Sequence, residues 1–86
     1  MPIQFSSRFK EKYVRLPLEL RNKVDKSTSL LDENFRHPGL RSHPLKSNPG
    51  IFEASVDDKY RMTYERRGDV LYMRNVDNHD ECLKNP

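Results

Sequence analysis

Three turn signals, Asn48-Pro49-Gly50, Asp57-Asp58 and Arg67-Gly68-Asp69, cut the second half of this sequence into short runs. A connection that tight returns a strand beside its predecessor in the antiparallel sense, because a parallel return needs a crossover of a dozen residues or more. The runs Leu40–Lys46, Ile51–Val56, Tyr60–Glu65 and Val70–Val76 therefore predict an antiparallel meander, entered through a Pro38-Gly39 turn in the loop from Phe35. Period-two alternation sets Phe52, Ala54, Val56, Tyr60, Met62 and Tyr64 against a polar set of Glu53, Ser55, Arg61, Thr63 and Glu65. The last run obeys no single phase, since Leu71 and Met73 alternate with Val70, Tyr72 and Val76 and both sets are apolar.

A sheet with one apolar face needs a cover, and the first half supplies it. Ile3 and Phe5 flank Gln4 as a short strand, and Ser6 or Ser7 can cap the helix that follows. That helix, Arg8 to Arg15, carries Phe9 and Tyr13 at helical spacing, with Leu16 beyond. Pro17 ends it and opens a second helix reaching Asn34, with Leu20, Val24, Ser27 and Leu31 on one stripe. The expected fold is α+β: an N-terminal strand and a helical hairpin packed on a small antiparallel sheet, in the order β-α-α-β-β-β-β, as one domain over residues 1–86.

Leu, Ile, Val and Phe make up 20 of the 86 residues, just above the fifth or so below which chains stay disordered. The core is thin, and a partner that covers exposed apolar surface would add to stability. The net charge of +3 is unevenly spread: Arg8 to Lys46 holds ten basic and five acidic side chains, Ser47 to Pro86 six and eight. A basic first half fits a polyanionic partner. The lone Cys82 excludes an internal disulfide and a Cys-rich zinc site and fits a reducing, cytoplasmic setting. No leader-like or membrane-spanning run is present in the sequence, so neither export nor a membrane partner is expected.

Once the core is assigned, the residues left for chemistry are His37, His43, Lys46, Glu53, Arg61, Arg74, His79, Asp80 and Glu81. No metal-ligand spacing occurs among them, and no cofactor is expected. Cleavage of RNA needs no metal when a protein supplies a base for the ribose 2′-OH, an acid for the leaving oxygen and cations for the charge on phosphorus. His43, His79, Lys46 and Arg61 are residues of those kinds. Each also has a plain structural reading: a solvated strand or turn histidine, or for Arg61 a cross-strand pair with Glu53 or Glu65. Tyr60, Tyr64 and Tyr72 can stack on bases but at these spacings suit a core, and Cys82 has no cation beside it to activate a thiolate.

The runs Gly39-Leu40-Arg41-Ser42-His43-Pro44-Leu45-Lys46, Gly50-Ile51-Phe52-Glu53-Ala54-Ser55-Val56, Lys59-Tyr60-Arg61-Met62-Thr63-Tyr64-Glu65 and Asn75-Val76-Asp77-Asn78-His79-Asp80-Glu81 resemble the RelE/ParE superfamily of toxins from bacterial toxin–antitoxin operons. The HPLK run is most similar to the HigB and YafQ branches. The resemblance implies a ribosome-dependent endonuclease, a cytoplasmic mRNA interferase that cuts by 2′-OH attack without metal and so inhibits translation. It implies His43 and His79 as base and acid, in that order or exchanged, with Arg61 on the phosphate and Lys46, Arg41 and Arg74 as further RNA contacts. The implied partners are the ribosome, mRNA and an acidic cognate antitoxin, with a monomeric toxin in the complex. Cys82-Leu83 stands where many members carry an aromatic residue, so base stacking would come from elsewhere. The alternatives are a ParE-like gyrase inhibitor, which is not expected to hold both histidines, and an inactive relative.

Overall fold

The protein, described over all of residues 1–86 by a computed structural model, is a five-stranded sheet with helices on both faces. In chain order the elements are β1 (Ile3–Phe5), α1 (Ser7–Arg15), α2 (Leu18–Glu33), a 3₁₀ turn (Pro38–Leu40), β2 (His43–Pro44), β3 (Phe52–Ser55), β4 (Tyr60–Arg67), β5 (Val70–Asn78) and α3 (His79–Lys84). The strands lie in the order β1-β5-β4-β3-β2. The α+β class, the helical hairpin and the meander are as the sequence predicts.

Local chemistry explains the helix boundaries. Ser6 caps α1: its Oγ accepts the Phe9 N–H at 3.0 Å and donates to the Arg74 carbonyl at 2.9 Å, so the cap also docks the helix on the sheet. Pro17 takes the cap position of α2, one residue outside the helix rather than in its first turn. The stripes pack where the spacing puts them, with Phe9 of α1 and Val24 and Leu31 of α2 buried against Ala54, Met62, Tyr64, Leu71, Met73 and Val76.

Four features differ from the sequence reading. The sheet is not wholly antiparallel: β1 pairs parallel with β5, Ile3 opposite Leu71 and Phe5 opposite Met73, because the chain leaves β1 through the helical hairpin, enters the far edge at β2 and returns beside β1 only after the β2–β5 meander. The run Leu40–Lys46 is mostly not strand. Leu40 closes the 3₁₀ turn, Arg41 sits in the left-handed region at φ 50°, and only His43 and Pro44 pair with β3. The mixed phase of the last strand has a cause, a bulge at which Thr63 opposes Asn75 and Tyr64 opposes Met73, leaving Arg74 as the extra residue. The inward set therefore changes from Leu71 and Met73 to Val76, while Asn75 turns to the opposite face.

The fourth difference is α3, a helix beyond the predicted order of elements. Asn78 caps it by accepting the Glu81 N–H at 3.0 Å. The helix and the residues after it lie on the sheet face expected to be polar and open. Thr63 Oγ1 donates to a Pro86 oxygen at 2.8 Å, and Asn75 Nδ2 donates to the Asn85 carbonyl at 2.8 Å. Thr63, Asn75, Glu53 and Cys82 are thereby buried on that face.

Candidate active site

Glu53 is the centre of the site. It stands on β3 opposite His43 of β2 and Thr63 of β4, and its carboxylate is almost wholly buried beside α3. Three of the expected residues converge on one of its oxygens: Arg61 Nε at 3.6 Å, His79 Nδ1 at 3.8 Å and His43 Nε2 at 4.0 Å. Three different elements supply them, since Arg61 projects from β4, His79 opens α3 and His43 lies on the edge strand. The cross-strand Arg61–Glu53 pair weighed from the sequence is present, and it forms part of the cluster.

The two histidines are held differently. The His43 ring is 57% exposed, and its Nδ1 lies 2.9 Å from the Arg41 carbonyl. A carbonyl can only accept, so Nδ1 carries a proton, and in the neutral form of the ring the lone pair is on Nε2, the nitrogen that faces the Glu53 carboxylate. His79 is 48% exposed and is fixed through its backbone, whose N–H donates to the Lys59 carbonyl at 2.8 Å. The ring nitrogens nearest Glu53 are no more than about 8 Å apart, being 4.0 and 3.8 Å from the same oxygen.

Arg61 is tethered along its other side. Its Nη1 donates to the carbonyls of Asp57 and Tyr60, the latter at 3.0 Å, and the side chain is 17% exposed. Asp57 shapes that turn by accepting the N–H groups of Lys59 at 2.9 Å and Tyr60 at 2.7 Å. Burial pushes the Asp57 carboxyl up, but those two donors and the Lys23 ammonium together outweigh it and hold the group below its usual range. Beneath the site, Cys82 Sγ donates to the Arg61 carbonyl at 3.2 Å, and burial pushes the thiol up to about 12, so it is no nucleophile.

The remaining expected residues lie elsewhere. Lys46 is exposed on the connection from β2 to β3 and forms no ion pair. Arg74, at the bulge, donates to Glu65 and to an oxygen of Pro86, beyond the C-terminal end of the helix that His79 opens, both at 3.1 Å. Glu65 also accepts from Arg67, and the two arginines outweigh burial to hold its carboxyl below the usual range. Arg41 lends its carbonyl to His43, while its side chain lines a separate cleft on the other side of β2. Glu53, expected only as a cross-strand partner for Arg61, is central because it stands directly across from His43 and two residues along β3 from Ser55, which Arg61 opposes. No three His, Cys, Asp or Glu side chains come together to hold a metal ion, and no helix is long and apolar enough to cross a membrane.

No family model matches the sequence, and a search of curated proteins finds no match. Solved structures do match. The toxin YafQ from E. coli strain BL21(DE3) superposes with a TM-score of 0.74 at 23% identity, covering 94% of this chain and 96% of its own. A YoeB/ParE toxin from Agrobacterium tumefaciens gives 0.77 at 15% identity over 92% and 99% of the two chains. The intact E. coli RelBE toxin–antitoxin complex gives 0.69 at 18% identity over 87% and 92%. The chain thus has the RelE-like fold of these toxins.

Proposed function

We propose that this protein is the toxin of a type II toxin–antitoxin module and cuts mRNA on the ribosome without a metal ion. The observation that carries the reading is the convergence of His43, His79 and Arg61 on one buried carboxylate oxygen. The fold shared with YafQ and RelE toxins supports it, and the cluster supplies every group the reaction requires.

In the proposed mechanism His43 Nε2 takes the proton of a ribose 2′-OH. The 2′-oxygen attacks phosphorus, the bond to the 5′-oxygen breaks, and His79 gives that oxygen a proton. The products are a 2′,3′-cyclic phosphate and a 5′-hydroxyl. Arg61, held by two backbone carbonyls, presents its remaining guanidinium N–H groups to the phosphate as charge builds on it. Glu53, in reach of both rings, offsets the positive charge on whichever ring holds the proton. Lys46, exposed and in no ion pair, extends the cationic field along the RNA, whereas Arg74 is engaged by Glu65.

The partner is a cognate antitoxin, as in the RelBE complex. A cleft of about 290 Å³ between α1 and α2, lined by the exposed Phe5 and Val14 and by one charge of each sign, Lys10 and Asp25, suits an amphipathic segment of it. The toxin is a monomer within that complex and acts in the cytoplasm.

The test is cleavage of an mRNA on programmed ribosomes, mapped by primer extension, for the wild type and for His43→Ala, Arg61→Ala and His79→Ala. Ribosome-dependent cuts that disappear in folded variants are expected. Growth arrest with double-strand DNA breaks and continuing translation would replace this reading by gyrase inhibition.

A further inference from the structure

The cleft that Arg41 lines is a second feature, separate from the histidine site. It has a volume of about 370 Å³ and lies between the 3₁₀ turn and the ends of β3 and β4. Three arginines, Arg36, Arg41 and Arg66, surround it, and no carboxylate is among its lining residues. None of the three is in an ion pair, whereas Arg61, Arg67 and Arg74 on the other sheet face each have a glutamate. Unpaired guanidinium groups gathered around a concavity repel one another, and an anion placed there relieves that repulsion.

The cleft is also aromatic. The guanidinium groups of Arg36 and Arg66 lie 5.4 and 5.2 Å from the centre of the half-buried Phe35 ring. Phe52 stacks on Tyr64 at 5.4 Å and 15°, and the Tyr64 hydroxyl is bonded to Ser42. Cations beside aromatic faces, with no acid present, are the chemistry that binds a single-stranded nucleic acid through its phosphates and bases.

Position relates the cleft to the active site. Ser42 turns to the Tyr64 side of the sheet and His43 to the Glu53 side, so the cleft and the histidines lie on the two sides of the edge strand β2. The same residue serves both, the Arg41 carbonyl holding His43 while its side chain enters the cleft. We propose that the cleft is a second RNA site, taking a phosphate and base of the single strand that passes over β2 from the cutting site. The proposal rests on the reading of the histidine site as one that acts on RNA.

The test uses a fluorescein-labelled 2′-O-methyl single-stranded oligoribonucleotide, which has no 2′-OH and cannot be cut, titrated with full-length protein by fluorescence anisotropy over a salt series. The combined variant Arg36→Gln, Arg66→Gln is expected to bind at least tenfold more weakly. The slope of log K against log salt should fall by about 0.7 for the one lost phosphate contact. Phe35→Leu should weaken binding with the slope unchanged. Both arginines are exposed, and a thermal melt monitored by circular dichroism confirms that each variant folds.

Wild-type affinity and slope in both variants would overturn the proposal. So would arginine replacements that weaken binding of labelled poly-glutamate and leave RNA binding intact, since the cleft would then be a docking surface for an acidic protein. The catalytic reading is judged separately by His79→Ala on ribosomes. If the chain never cuts and the titration still shows the arginine-dependent loss, the cleft stands and the nuclease reading falls. If it cuts and the titration shows no loss, the reverse holds.

Discussion

Glu53→Gln removes one charge from the centre of the site and keeps the side chain's volume. In the proposed reaction each imidazole carries a positive charge at some stage, 3.8 or 4.0 Å from the Glu53 oxygen. Two unit charges at that separation attract by about 4 kcal/mol at an effective dielectric constant of about 20, and by about 1 kcal/mol in water. The rings are 48% and 57% exposed, so the contribution falls between these limits, at about 2 kcal/mol. That corresponds to a loss of about 30-fold in cleavage rate.

Stability should change far less. The Glu53 carboxylate is buried with its Oε2 lacking any hydrogen bond, an unfavourable arrangement that partly cancels the attraction of Arg61. Arg61 keeps its two carbonyl acceptors when the charge is gone. A net change of about 1 kcal/mol or less is expected, a Tm shift within about 4–8 °C for a chain of this size. Single-turnover cleavage on programmed ribosomes, with a thermal melt of the same preparation, measures both. A loss under threefold at unchanged Tm would refute the electrostatic role of Glu53, and a Tm drop beyond about 15 °C would make its role structural.

Other consequences are open to direct measurement. Ser6→Ala deletes the α1 cap and the bond to the Arg74 carbonyl, and should cost about 1 kcal/mol or slightly more in urea unfolding. Gly68 has φ +64° with open space around it, so Gly68→Ala should destabilise the β4–β5 hairpin by about 1 kcal/mol through backbone conformation alone. Cys82, with its thiol pushed up to about 12, should react with iodoacetamide at pH 8 at least a hundredfold more slowly in the native protein than in urea. Glu65 and Asp57 have folded-state carboxyls below their ordinary values of 4.5 and 3.8, so their stabilising effect is complete above about pH 4.5 and lost as pH falls further. Melting temperature against pH should therefore decline below that point, and Glu65→Gln should flatten the decline.

The legible parts of the fold were those set by local chemistry. Phe9, Val24, Ser27 and Leu31 fall on helical stripes, and Ala54, Met62 and Tyr64 on one strand phase, and all are buried where periodicity puts them. The less legible parts depend on partners distant in sequence. The parallel pairing of β1 with β5 joins Ile3 to Leu71, which no short-range signal encodes. The bulge at Arg74 exists only relative to β4, so the sequence shows its trace, two competing apolar phases, without its cause. For α3 a local signal was present, since Asn78 followed three residues later by Glu81 is a cap pattern. At the site, residue types pointed to His43, Arg61 and His79, but their common partner Glu53 emerges only from strand register.

Two residues in this chain adopt the left-handed backbone region, Gly68 at φ 64° and Arg41 at φ 50°. At Gly68 the hairpin uses the residue for which that conformation costs little. At Arg41 the chain carries a side chain where each residue with a Cβ is disfavoured by about 1–2 kcal/mol. The backbone task there, closing the 3₁₀ turn on the Pro38 carbonyl and presenting a carbonyl to His43 Nδ1, is one glycine could perform as well. What glycine could not supply is the guanidinium in the cleft with Arg36 and Arg66. Strain of this kind persists where the surrounding structure holds it in place, and it collects at sites that bind. On the proposed readings, the backbone conformation that orients His43 and a cation at the cleft thus meet in one residue, next to the edge strand that separates the two proposed RNA contacts.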